Sequence, residues 1–423
     1  MVNVGGRLEN VMPKYLLKQR QGWYAVLEIP KPLRPYFGKV RFKETLHTDS
    51  LKIAQSRVLS IIVEWKSWID AVRSGASTFD VEVKRRKAER ERLRKANVPE
   101  HEIEEALFAI AIDNDSPDKG IELLNVSSGK WIRLLDHIDE YIATLDGINV
   151  NKTIDMKRSD ISRFANQFTY AHETTKRDVI DWVENTLIAK EGLSAPTCSR
   201  IMSSVRGYWV FLERHKGLNT AAPLQGVVPT RRVAQRNSRV KQISRTHFTP
   251  NDFNKLLKQC GKDEQLSTLI WLGAYTGCRI EELCSLKLEH TLTDRFLIHD
   301  AKTEAGNRIV PIHDDIKGLV KGLKGHSNDG YLLTGLTFNK YGDRSNAIGK
   351  RFGRLKLRCG FGSDLVFHSF RKGVATQLET AGVPENVTAR LLGHEFNTMS
   401  YGVYSGGVSF EVLLCALKNL NWR

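Results

Sequence analysis

The sequence predicts a multidomain α+β protein with three parts: a small N-terminal β unit with a helix, an all-α middle unit, and a mixed, mainly α C-terminal unit carrying a β-hairpin or small sheet. Three observations predict this. The 423 residues suffice for two or three domains at about 150 residues each. Strand-like alternation is confined to two short regions, one near the start of the chain and one within the last unit. Between and after them, apolar residues recur at helical spacing and glycines punctuate the runs.

Residues 13–48 read as the β unit. In GWYAVLEIP, Trp23, Ala25, Leu27 and Ile29 alternate with Tyr24, Val26 and Glu28, the period of a half-buried strand. KPLRPYFGK turns the chain at two prolines and a glycine, and Val40–Leu46 reads as a second strand. A helix begun by Asp49 or Ser50 follows, with Ala54, Val58, Ile61, Ile62, Trp65, Ile69 and Val72 at spacings of three and four. Residues 81–112 are charged and helix-prone, restarting after Pro99. They suit a solvated connecting helix or a contact with protein or DNA. DNDSPDKG (113–120) reads as a loop.

Amphipathic segments at 131–146, 153–168, 174–190 and 195–215 predict a compact helical unit over 128–220, punctuated by Gly147, Gly192 and Gly217. Residues 221–247 read as a linker; from Pro229 to Arg245 it is basic and has no acidic residue. Such a stretch suits a strand lying along a phosphate backbone, or a simple hinge. The last unit opens with Thr249 as N-cap, Pro250 at the first helical position and Asp252 three after the cap. Residues 295–313 predict a hairpin around Glu-Ala-Gly-Asn, and helices follow to the C-terminus.

The charge balance, 64 Lys+Arg against 48 Asp+Glu for a formal +16, favours an anionic partner, with nucleic acid first. The six cysteines form no CxxC pair or zinc spacing and suit reduced, mostly buried thiols in a cytoplasmic protein. The N-terminal residues carry no apolar secretion segment, and no apolar run approaches a membrane span.

Five short motifs stand in the last unit: TGCRIEEL with Arg279, Lys302 at the hairpin turn, HSFR with His368 and Arg371, LLGH with His394, and YGVYS with Tyr401 and Tyr404. Each alone reads as an ordinary surface or packing residue. Together they form a phosphate-handling set of two Arg, two His, a Lys and a hydroxyl nucleophile. No Walker loop or carboxylate cluster competes with it.

This ordered set resembles the catalytic domain of the tyrosine recombinases, the phage integrase family, over about residues 247–423. The helical unit at 128–220 resembles the family's core-binding domain. Residues 1–75 resemble the arm-binding modules of prophage integrases, with 76–127 a charged helical connector and 221–246 the basic linker. The resemblance implies a site-specific DNA recombinase working through a 3′-phosphotyrosyl intermediate to integrate or excise a mobile element.

By the same resemblance, Arg279 and Arg371 hold the scissile phosphate and Lys302 protonates the departing 5′ oxygen. His368 and His394 hydrogen-bond the phosphate and move protons. Tyr404 is the nucleophile in preference to Tyr401, because TMSYGVYSGG matches a recurring integrase variant. Glu282 is read as orienting Arg279 rather than reacting. The C-terminal helix, with Phe410, Leu413, Leu414 and Leu417 on one stripe, packs on its own unit or on a neighbouring protomer.

The implied partners are double-stranded DNA at attachment sites, three further copies in a homotetramer, and possible accessory factors: a DNA-bending host protein and an excisionase. No membrane partner, metal or other cofactor is expected, and the expected location is the cytoplasm, on the nucleoid when DNA is bound. A type IB topoisomerase-like enzyme and a non-catalytic DNA-binding regulator derived from an integrase are the alternatives. A metal-dependent nuclease would need acidic ligands that the sequence does not group.

Overall fold

The computed structural model describes residues 14–20, 22–75, 77–114, 117–230, 232–234, 244–299, 307–394 and 407–423. The chain divides into two compact units, Met1–Arg239 and Val240–Arg423. Both are mostly helical, with small antiparallel sheets.

In the first unit, β1 (Leu16–Gln19), β2 (Gly22–Glu28) and β3 (Arg41–Thr45) form an antiparallel sheet in that order, with Leu16 opposite Ala25 and Leu27 opposite Phe42. The alternation reads correctly: Trp23, Ala25, Ile29 and Phe42 are buried. Strand β1 was not expected, because four residues are too few to display a period. Helix α1 (Leu51–Arg73) packs its apolar face on this sheet. Phe42 stacks on Trp65 at 5.4 Å and meets Trp68 edge-on at 5.5 Å. Burying aromatic side chains such as these contributes roughly 1.5–3 kcal/mol each.

Helices α2 (Thr78–Lys95), α3 (Glu100–Asn114) and α4 (Pro117–Ser128) follow. The expected loop over 113–120 is corrected at both ends: α3 runs through Asn114, and α4 begins at Pro117, since proline is well suited to a first helical position, where its missing N–H is not needed. Next come α5 (Ile138–Ala143), α6 (Asn151–Gln167), α7 (Lys176–Asp181, continuing with wider π-type bonds over Trp182–Lys190) and α8 (Ala195–Lys216). The segment read as helical over 131–146 is helical only at 138–143. Its first part instead pairs Arg133 with Tyr170. Phe164, Tyr208, Trp209 and Leu212 centre this core.

The second unit contains α9 (Pro250–Cys260), α10 (Glu264–Thr276), α11 (Ile280–Cys284), the hairpin β4 (Arg295–Ile298) and β5 (Arg308–Pro311), α12 (Asp314–His326), α13 (Ser345–Arg358), α14 (Ser369–Thr380), α15 (Glu385–Leu392) and α16 (Phe410–Leu417). The cap of α9 forms as its residues dictate, with Thr249 and Asp252 each bonding the other's backbone N–H. The end of the basic stretch is tied down: Thr246 donates its N–H to the Asp364 carbonyl at 3.1 Å, and Lys372 donates to the Arg245 carbonyl at 2.8 Å. Most of that stretch, residues 231 and 235–243, lies outside the described residues. Helix α16 turns Leu413, Ala416 and Leu417 into the unit's own core, and Trp422 behind it is fully buried there.

Candidate active site

The site is built where α10 ends, α11 starts, and α14 and α15 close over them. Helix α10 stops at Gly277, whose φ of +62° is the left-handed conformation that glycine adopts without strain. A Cβ there would also stand 2.7 Å from Leu392 Cδ2 and 3.3 Å from Val374 Cβ. Gly277 therefore both reverses the chain and lets three helices meet.

Arg279 caps α11 two residues later. Glu282 accepts its backbone N–H at 2.8 Å and its guanidinium Nη1 at 2.6 Å. The start of α11 thus already holds a carboxylate, and the Arg279 side chain, 41% exposed, leans out beside it. Arg371, on α14, is buried. It donates to the Gly277 carbonyl at 3.1 Å and to the Leu392 carbonyl, fastening the ends of α10 and α15 together.

His368 lies just before α14, between the buried Phe367 and Phe370, which anchor its backbone while its own ring is exposed. Helix α15 ends at Gly393, with φ +68°, and this turn delivers the exposed His394, whose N–H bonds the Ala389 carbonyl at 3.0 Å. Arg279, His368, Arg371 and His394 are thus brought into one electrostatic neighbourhood. Lys302, Tyr401 and Tyr404 lie outside the described residues.

A third guanidinium was missed by the sequence reading. Arg308, the first residue of β5, donates to Glu282 at 2.9 and 3.3 Å, to the Leu391 carbonyl at 2.9 Å and to Cys278 Sγ at 3.5 Å. Its signal was present in the alternation. Val310 and Ile312 are buried, so the period of two puts Arg308 on the same inward face.

The three guanidiniums and the Glu282 carboxylate perturb several titrating neighbours. Burial, then the charges of Arg308 and Arg279, push Arg371 down to about 10, so it stays charged at neutral pH. Desolvation, then Arg371 and Arg279, lower both His368 and His394 below the usual imidazole value. Burial alone would raise Glu282, but the bonds and charge of Arg308 and the donors of Arg279 outweigh it and hold the carboxyl low. The result is a cluster of guanidiniums beside two imidazoles whose neutral form is favoured.

Residues 246–405, the stretch that contains this cluster, match the model of the phage integrase family. That stretch is similar to the catalytic region of the phage integrase, or tyrosine recombinase, family. A tyrosine recombinase of Pseudothermotoga lettingae is 21% identical over 281 residues, 64% of this chain and 93% of the relative. The tyrosine recombinase XerA of Pyrococcus furiosus is 24% identical over 258 residues, 59% of this chain and 82% of the relative. A solved lambda integrase dimer bound to a COC′ core site is 16% identical, covering 94% of this chain and 98% of that one with a TM-score of 0.48. Outside the matched recombinase region, residues 15–74 match a model described as a domain of unknown function, DUF6538.

Proposed function

We propose that this protein is a tyrosine recombinase that cuts and rejoins double-stranded DNA at attachment sites, integrating or excising a mobile element through a 3′-phosphotyrosyl bond on Tyr404. The observation that carries the reading is the cluster itself. Arg279 and Arg308 share a single carboxylate, Glu282, while Arg371 beside them bonds only backbone carbonyls, so a surplus of positive charge is kept for an incoming phosphate.

Arg279 and Arg371 bind the non-bridging oxygens, where guanidinium geometry matches and charge builds as the tyrosine adds. The Tyr404 phenol attacks phosphorus and the 5′ oxygen leaves with a proton from Lys302. His368 and His394 donate ring N–H groups to the phosphate oxygens, and their lowered pKa leaves a ring nitrogen able to take the phenol proton as Tyr404 adds. A 5′ hydroxyl from a second duplex then reverses the step, so the bond energy is conserved without a nucleotide cofactor or metal.

In this reading residues 247–423 are the catalytic domain, 221–246 the basic linker, 128–220 the core-binding domain, 76–127 a connector, and 1–75 a separate arm-site module. Four copies act on two duplexes, with a DNA-bending host protein and an excisionase setting direction, on the bacterial nucleoid. Support comes from the family match over 246–405 and the formal +16 charge.

The deciding experiment is a nicked suicide substrate run on a denaturing gel. Wild type and Tyr401→Phe should trap a covalent DNA adduct, and Tyr404→Phe should not. Adduct formation by Tyr404→Phe and not by Tyr401→Phe would reverse the nucleophile. No adduct from the wild type on its own attachment site would favour a DNA-binding regulator.

A further inference from the structure

Arg308 differs from Arg279 in exposure and from Arg371 in its partners. Its side chain is 5% exposed, against 41% for Arg279, and unlike the buried Arg371 it bonds the carboxylate. It enters from the hairpin, where Ile298 is its cross-strand partner, and reaches two separate parts of the site. One is the Glu282 carboxylate, itself 9% exposed, which also grips Arg279. The other is the Leu391 carbonyl, at the end of the helix that turns at Gly393 into His394.

We propose that Arg308 is a positioning residue: it locks Glu282, and through it Arg279, to the end of α15 that presents His394. This rests on the recombinase reading for its chemistry and on the hydrogen-bond geometry for its logic. Glu282 has two oxygens and receives three donors from side chains and one from backbone. Without Arg308 the carboxylate would be buried with Arg279 as its only guanidinium partner. It would draw that guanidinium inward, away from a phosphate, or take up a proton and release it. Either displaces a group that must lie within a fraction of an ångström of its working position. Lysine cannot replace the fork, because one ammonium cannot meet the carboxylate, the Leu391 carbonyl and the Cys278 sulfur from one plane.

The test uses the full chain. Arg308→Gln should trap the suicide substrate about a hundredfold more slowly than wild type, with core-site affinity unchanged. Arg308→Lys should recover part of the loss. Glu282→Gln combined with Arg308→Gln should be no slower than the slower single variant, because both act through one link. This double variant also removes both buried charges, so it keeps the test meaningful should Arg308→Gln unfold.

A readout free of catalysis is the ring titration of His394 by NMR. It should move to higher pH in Arg308→Gln and stay near wild type in Arg308→Lys, since the Arg308 charge is one of those holding it down. Wild-type trapping rates with an unmoved His394 would overturn the proposal. So would equal losses of binding and cleavage, or additive effects in the double variant, which would make Arg308 a direct DNA contact. A wild type that forms no adduct would instead count against the recombinase reading, and the His394 shift would still decide Arg308's role.

Discussion

Replacing Arg371 by alanine separates chemistry from folding, because the two effects have different sizes. Arg371 is 3% exposed and donates to the Gly277 and Leu392 carbonyls. Losing both donors leaves two buried carbonyls unpaired at about 1–3 kcal/mol each. Against this, its ionisation is pushed down to about 10 from an ordinary 12.5, chiefly by burial and then by Arg308 and Arg279. A displacement of that size corresponds to about 3 kcal/mol spent holding the charge there, which the substitution releases. The opposing contributions nearly cancel, leaving about 1 kcal/mol of destabilisation, or a melting temperature lower by about 2–4 °C. Catalysis has no such compensation. One oxyanion donor is worth about 3–4 kcal/mol, so single-turnover cleavage should fall by about two to three orders of magnitude. Core-site affinity, read by fluorescence anisotropy, should hardly change, since one phosphate among many is affected. The reasoning fails if affinity falls as far as cleavage, or if the melting temperature drops by more than about 10 °C.

Three further expectations follow from the same geometry. Gly277→Ala must bear a φ of +62° and a Cβ 3.3 Å from Val374 Cβ, so stability should fall by about 2–3 kcal/mol in urea unfolding and cleavage should fall with it; an unchanged midpoint would refute the close approach. His368 and His394 have folded pKa values below their unfolded value, so the stability tied to them is complete above the ordinary histidine range and is lost as pH falls through the folded values. Both rings should titrate below about 6.5 by NMR, and inorganic phosphate should move them up; titration above that value would remove the cationic field from the argument. Trp422→Ala empties a fully buried site with ring centroids 5.7 Å from Phe253 and 5.8 Å from Phe370, and should cost about 3–5 kcal/mol in denaturant unfolding. A wild-type midpoint there would mean that the C-terminal segment is not part of its own unit's core.

What could be read from the sequence was what short-range chemistry determines. The Thr249–Pro250–Asp252 cap forms as written because all its partners lie within one helical turn. The hairpin was visible because Phe296, Ile298, Val310 and Ile312 alternate over two strands. Strand β1 was hidden, because its pairing with β2 is a partner's property and leaves no period in four residues. The helix at Pro117 was hidden because the polar residues that suggest a loop also suit a helical first turn. In the site, ordered motifs suggested Arg279, His368, Arg371 and His394, but not how they are held. That Arg371 spends its donors on Gly277 and Leu392, 94 and 21 residues away, is a fact of packing alone. Arg308 could have been found by carrying the period of two one step back from Val310 and asking why a cation stood on a core face.

The cluster also explains how three guanidiniums can remain together before any phosphate arrives. Each helix C-terminus carries roughly half a negative charge on its last carbonyls. Helix α10 ends on the Gly277 carbonyl and α15 on those of Leu391 and Leu392, and these are the groups that Arg371 and Arg308 bond. Together with Glu282, the two helix ends supply roughly two negative charges against three positive ones. About one positive charge is left over, which matches a phosphodiester. A fully neutralised cluster would hold no anion, and one without the helix ends would repel itself apart or lose protons. On this argument the glycines that end α10 and α15 do more than stop two helices. They stop them at one point, with carbonyls that Arg371 and Arg308 bond, so that part of the positive charge is balanced before any anion binds.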